Sequence, residues 1–478
     1  MKRFAGVLLN TLVANVTTTF VWFAFTFWVY LGTRSMLATA LVGGSFMLLV
    51  AISGIPIGTF VDHTRKKRVM VAATTVPLIT FTAGGLIYAS VGPAQVLDLG
   101  GLWFWLFAVL MLVGATVANA RNIALSTTVT LMVAVSDRSR ANGLVGAVQG
   151  VSALVTSVFA GLSIGFLGMG WTIAIAIVGL ALTSVHLIFV RIEEERIVIV
   201  SRRVGFGLAG SISAVRSVPG LAALVAFTAF NNLLGGAYMT LMDPYGLELF
   251  SVQVWGLLGG ACATGFIVGG LTVARAGLGT NPLRTMLWLL MAMGLIASLF
   301  TIRELAWLYV LGIWAYMALV PAVEAAEQTV IQQAIPLRRQ GRVFGLAQAV
   351  ESAAAPISAF TLGPLVELLV VPWSRSADGR ATLEPALGSG EMRGAALLFL
   401  ICGLMLIIAA AAAFKTRAYA SLSRLLGATS RRDSGPGSVD PTEVEQSSSP
   451  EAASPLPPAT KDGRSRATGS SPARGDVR

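Results

Sequence analysis

Residues 58–68 read Gly58-Thr-Phe-Val-Asp62-His-Thr-Arg-Lys66-Lys67-Arg68 and hold one acid and four cations. On either side lie the apolar stretches 37–60 and 69–91. Each is about the 20 residues that a helix needs to cross the hydrocarbon of a bilayer. The segment therefore reads as a tight polar connection between two membrane helices. The rest of the chain repeats this pattern. It has 478 residues, 55% hydrophobic and only 12% charged, with mean hydropathy +0.76. Soluble domains are about 25% charged, so a water-facing surface of this size is excluded, as is a disordered or fibrous chain.

Ten more stretches of similar length are found at 5–30, 101–125, 142–168, 170–190, 219–241, 254–274, 283–302, 306–332, 343–368 and 394–414. The first is too long for a signal-peptide core and carries Trp22, Trp28 and Tyr30 near its far end, so it reads as a retained helix. The expectation is an all-α integral membrane protein of twelve transmembrane helices in two pseudo-symmetric six-helix bundles. The bundles are residues 1–190 and 219–414, joined by a cytoplasmic linker, 191–218. In that linker 204–218 is suited to lie along the membrane interface. Residues 371–393 read as an external loop. The tail 415–478 is Ser-, Pro- and Gly-rich and is expected to be disordered beyond about residue 431.

The net charge of +11 looks at first like a nucleic-acid footprint, but its placement says otherwise. With the amino terminus inside, Arg65 to Arg68, Arg138, Arg140, Arg338, Arg339, Arg342 and the tail cations all fall on the cytoplasmic side. Only Arg34, Arg303, Arg375, Arg380 and Arg393 fall outside. This is the positive-inside asymmetry. It implies a multi-pass protein of the cell membrane with both termini cytoplasmic and no nucleic-acid partner. Two cysteines, Cys262 and Cys402, and two histidines, His63 and His186, build no disulfide framework, metal site or hydrolytic triad. No Walker-type phosphate loop is present. No cofactor, no metal and no enzymatic activity are expected.

A short internal repeat supports duplication. Arg140-Ala-Asn-Gly-Leu-Val-Gly146-Ala-Val-Gln149 and Arg339-Gln-Gly-Arg-Val-Phe-Gly345-Leu-Ala-Gln348 share Arg, Gly and Gln at constant offset. They open the fifth and eleventh stretches, equivalent positions in two parallel halves around a central path.

The 58–68 segment resembles the signature loop of the major facilitator superfamily, broadly G-x-x-x-D-R-x-G-R-[RK]. Gly58, Asp62, Lys66 and Lys67 match it. His63 stands in place of a basic residue and Arg65 in place of glycine. The run Ser136-Asp-Arg-Ser-Arg140-Ala-Asn-Gly143 resembles the R-x-x-A-N-G of an exporter branch that includes enterobactin-exporter-like and macrolide-efflux-like proteins. Gln340-Gly341-Arg342-Val343 is similar to that branch as well. The resemblance covers about residues 1–415. It implies that Asp62 meets the amino-terminal end of the eleventh helix, near Gly341 and Arg342, and latches the halves when the outside is open.

Polar residues within spans are expensive and therefore functional candidates. The first half offers Asn10, Asn15, Asn119, Arg121, Asn122 and Gln149 but no acid. The second offers Asn231, Asn232, Glu324, Glu327, Gln328, Gln332, Gln333, Gln348 and Glu351. Glu324 and Glu327 share one helix face, and two carboxylates so close in a dry site resist ionising together. They read as a proton site or gate, as a static ion pair with Arg121, or as exposed at the lipid interface. Glu351 is a second proton-site candidate. Aromatics of the first helix, with Tyr238 and Trp314, are candidates to line a cavity. The expected function is secondary active export of an amphipathic small molecule (drug-, macrolide- or siderophore-like) by alternating access in exchange for protons, by a monomer in the lipid bilayer. Uptake or uncoupled facilitation is the alternative, and a membrane receptor or enzyme a third reading.

Overall fold

A computed structural model describes residues 2–33, 36–190, 192, 194, 207–387 and 392–433. Twelve long helices account for most of them. They are α1 (Lys2–Thr33), α2 (Met36–His63), α3 (Lys66–Val91), α4 (Leu102–Met132), α5 (Arg138–Phe166) and α6 (Gly168–Phe189). The second set is α7 (Leu221–Leu249), α8 (Val252–Ala276), α9 (Pro282–Leu299), α10 (Ala306–Ala334), α11 (Leu337–Leu365) and α12 (Arg393–Phe414). Among the described residues ten of these pass as apolar membrane spans, and α5 and α11, of 29 residues each, complete the twelve. Helix is the form that lets an apolar segment satisfy its own backbone in lipid. Threonine and serine hydroxyls are absorbed the same way, as where Thr18 donates to the Ala14 carbonyl at 3.0 Å.

The packing has a two-fold logic. In the first half α1 lies on α5 and α6, and α3 on α4 and α6. Adding six to each number gives α7 on α11 and α12, and α9 on α10 and α12, which are the contacts of the second half. The halves meet through α2 against α11 and α5 against α8, two pairs that the same shift exchanges. Outward faces carry large apolar side chains such as Phe166, 83% exposed, and Ile188, 70% exposed, as lipid contact requires.

Several expectations are refined. The fourth span is interrupted at Asn119, where tight bonds run from Asn119 N to Thr116 O and from Asn122 N to Asn119 O. The segment read as an external loop contains helices Val371–Arg375 and Ala377–Leu387. It lacks the apolar length of a span but has the periodicity to bury Leu383 and Leu387. In the linker, Leu208–Arg216 is a helix beneath α11, α7 and α2. The tail begins with a helix, Arg417–Asp433, that buries Leu422 and Leu426. The disorder expected beyond residue 431 falls mostly outside the described residues.

Candidate functional site

The Asp62 loop closes one end of the seam between the halves. Asp62 is the penultimate residue of α2 and is buried. Its two carboxylate oxygens accept the backbone N–H groups of Gly341 at 2.7 Å and Arg342 at 3.1 Å. The Arg342 Nε lies 3.3 Å from the same carboxylate, an ion pair with both side chains nearly dry. The contact falls in the second turn of α11, four residues inside its start at Leu337, and not at free terminal N–H groups as expected. What admits the carboxylate there is a missing side chain. A Cβ on Gly341 would stand 2.6 Å from Asp62 Oδ1. Gly58 does the same one turn earlier, its Cα facing the Gly341 and Gly345 backbone too closely for any Cβ.

His63 extends the contact. Its Nδ1 lies 2.8 Å from the Thr59 carbonyl, so that nitrogen carries the proton, and Nε2 accepts from the Arg342 guanidinium at 3.3 Å. The departure from the family pattern thus places an acceptor where a cation would repel Arg342. Lys66 and Lys67 do not reach the other half. The Lys66 ammonium donates to the Val61 carbonyl at 2.8 Å, and the Lys67 ammonium to the Ile188 and Val190 carbonyls at 3.1 and 2.7 Å. They cap the carboxyl ends of α2 and α6, where a cation complements the helix dipole. At the start of α3 the Glu194 carboxylate accepts the N–H groups of Lys66 and Lys67 at 2.9 and 3.0 Å.

A second tie, beside the latch, joins α5 to α10. The Asn142 side chain donates to Thr329 Oγ1 and to Gln332 Oε1, both at 2.9 Å, and the Gln332 amide donates to the Ser126 carbonyl at 2.8 Å. Arg138 donates to the Gln332 carbonyl at 3.1 Å. A third link is a chain of amides: Asn15 to Asn122 at 3.2 Å, Asn122 to Asn119 at 3.0 Å, and Gln348 of α11 to the same Asn119 oxygen at 3.2 Å.

On the other side of these ties lies a cavity of about 400 Å³. Its wall is apolar and sulfur-rich, with Met239, Met242, Met286, Met293 and Met317 from the second half and Met47 from the first. Tyr238 and Phe399 stack at 5.4 Å along it. Its polar patch is Asn231, Asn232, Thr228, Glu324, Glu327 and Glu351. Glu327 and Glu351 share this patch with Thr228. Glu324, Glu327 and Glu351 also face a smaller space between the halves, shared with Gln149, Gln328 and Gln348. Asn15 and Gln149 line a third space with Trp22 and Phe23.

The family model described as Major Facilitator Superfamily matches residues 7–359. The chain belongs to the major facilitator superfamily. Solved structures similar to it agree on the fold. A bacterial homologue of the iron transporter ferroportin in its outward-facing state is 14% identical with TM-score 0.66, covering 87% of this chain and 100% of that one. The proton:xylose symporter XylE is 13% identical with TM-score 0.62, covering 87% and 96%. The human organic anion transporter MFSD10 (TETRAN) is 13% identical with TM-score 0.60, covering 85% and 99%. No curated protein sequence matches. The chain is thus a membrane transporter of the superfamily fold, with twelve transmembrane helices in two pseudo-symmetric six-helix bundles.

Two expectations about this transporter are corrected. Arg121 forms no pair with Glu324 or Glu327. It is 1% exposed inside the first half, where it donates to Asn10 Oδ1 at 2.7 Å, to the Met70 carbonyl at 3.2 Å and to the Thr74 hydroxyl. The α4 face that carries Arg121 looks back toward α1 and α3, away from the seam. Trp314 lies on an apolar groove with Cys262 and Trp307 and donates to Thr264, while Tyr238 does line the cavity. Sequence reasoning passed over Asn142 as a tie. It stood inside the Arg140-Ala-Asn-Gly143 run, so the motif itself was the available signal.

Proposed function

We propose that this transporter exports cationic amphipathic small molecules across the cell membrane by alternating access, in exchange for protons. The observation that carries the reading is the set of three carboxyl groups, Glu324, Glu327 and Glu351, in the wall of an otherwise apolar, methionine- and aromatic-lined cavity. Carboxyl groups gathered in so apolar a wall resist ionising together and hold a proton among them, and a cation entering the cavity displaces it. That is the exchange an antiporter performs. Thioether side chains adapt to ligands of varied shape, and a net-acidic wall disfavours anionic chelators among the amphipathic candidates. The excess of cations at the Asp62 end supports placing that end in the cytoplasm. In that orientation the ties of Asp62 and Asn142 hold the inner side shut while the cavity faces outward.

The test is efflux of a fluorescent lipophilic cation from loaded cells, with and without an uncoupler. Efflux should collapse with the proton gradient. Glu327→Gln keeps the shape but cannot release a proton, so it should abolish the pH dependence. Efflux that is indifferent to both treatments would favour uncoupled facilitation instead.

A further inference from the structure

At the Asp62 end, away from the seam, a groove of about 380 Å³ opens between α9, α12 and the Arg417–Asp433 helix. Its floor is Trp288, Met291, Ala411 and Phe414, with Tyr419 at one wall and Arg284 at its edge. Trp288 packs on Phe414 at 5.6 Å, and Phe414 on Tyr419 at 5.3 Å, yet Trp288 stays 54% exposed. The Arg417–Asp433 helix is anchored below. It buries Leu422 and Leu426, and Ser423 accepts from the Asn281 amide at 2.6 Å.

The stretches of chain that build this groove carry charge of one sign. Between Glu248 and Glu304 the chain has no acidic residue, and between Glu391 and Asp433 again none. These two segments build the groove; Arg284 lies at its edge, Lys415 follows Phe414 in the chain and Arg417 precedes Tyr419 by two residues, all three exposed. Aromatic rings near the ends of two membrane helices, an apolar floor and exposed cations together are the chemistry of one ligand class.

We propose that this groove binds an anionic phospholipid. The phosphate sits among Arg284, Lys415 and Arg417, and an acyl chain lies along Trp288, Met291 and Phe414. The bound lipid holds the Arg417–Asp433 helix in place. That helix also touches the Val135–Asp137 turn between α4 and α5, so the lipid supports a contact between the two halves. The site is separate from the cavity and does not depend on the export reading.

The test uses the full chain, delipidated in a neutral detergent, with native mass spectrometry against phosphatidylglycerol and phosphatidylcholine at equal concentration. Phosphatidylglycerol should bind preferentially, the preference dropping roughly fivefold for each cation removed in Arg284→Gln, Lys415→Gln and Arg417→Gln, singly and combined. Arg380→Gln, on a helix distant from the groove, should leave it unchanged. Quenching of tryptophan fluorescence by brominated phosphatidylglycerol should lose a component in Trp288→Phe, a readout independent of the triple variant's folding. Equal binding of the two lipids, or preference retained without the three cations, overturns the proposal. Displacement of the lipid by millimolar glycerol phosphate does so too, since it would mark a site for a free anion.

Discussion

At the scale of single residues, two side chains, Asp62 and Arg121, separate holding the halves together from holding one half together. The Asp62 carboxylate accepts hydrogen bonds from two backbone N–H donors, each worth about 1.5–3 kcal/mol. Asp62→Asn keeps the shape but loses the charge, so the closed end should open at least roughly tenfold more often and efflux should fall. Asp62→Glu should not rescue it, because the cradle left by Gly58 and Gly341 has no room for another methylene. Arg121 behaves differently. Its partners Asn10, Met70 and Thr74 all belong to the first half, so Arg121→Met should act on stability. It strands Asn10 Oδ1, while Thr74 keeps its bond to the Met70 carbonyl; one unpaired buried acceptor costs about 1–3 kcal/mol and should lower the melting temperature by several degrees. The pH dependence of efflux should survive at permissive temperature. A lost pH dependence in Arg121→Met would move this arginine into the coupling machinery.

At the scale of elements, the seam is made of glycine. A Cβ on Gly54 would stand 2.7 Å from the Gly345 carbonyl oxygen, and one on Gly143 2.6 Å from the Ala274 amide nitrogen. The pairs α2–α11 and α5–α8 approach backbone to backbone, as small residues permit in a membrane. Such surfaces part and close with little side-chain rearrangement, which rocking requires. Gly143→Val should therefore wedge α5 from α8 at about 1–3 kcal/mol of overpacking. It should increase the reactivity of a cysteine placed at Gln332 toward a membrane-impermeant maleimide applied from the Asp62 side. The repeat is legible here as well. Gln149 and Gln348 occupy equivalent positions and line the same space between the halves, whereas Asn142 has Gly341 as its equivalent. One position serves as a side-chain tie in one half and as a bare backbone for a carboxylate in the other.

At the scale of the whole molecule, the ties gather at one end and the cavity opens beyond them. With Cys262 and Cys402 replaced, Asn232→Cys should label with an impermeant reagent from the side opposite Asp62, while Gln332→Cys should be protected. Adding Asp62→Asn should lower the first rate and raise the second, the signature of a shifted two-state equilibrium. If both rates moved in the same direction, loosening rather than rocking would be indicated.

The sequence by itself determined that this chain crosses a membrane twelve times in two similar halves, and it singled out Asp62, Gly341, Arg342 and three carboxylic acids as candidates. The spans and the acids were read from local cost, since a charge in an apolar run is visible one residue at a time, whereas the meeting of Asp62 with Gly341 and Arg342 was implied by the resemblance of the 58–68 segment to a signature loop. The tertiary structure alone decided partners. Asp62 and Gly341 stand 279 positions apart. Whether Arg121 faces the seam or its own bundle depends on the rotation of α4, a helix apolar on nearly every side, whose pattern points in no single direction. Lys66 and Lys67 match the signature-loop pattern and proved to cap helix ends. The reason is that a cation at a helix end is drawn equally by an acid across the seam and by carbonyls beneath it, and only the packed geometry says which is nearer.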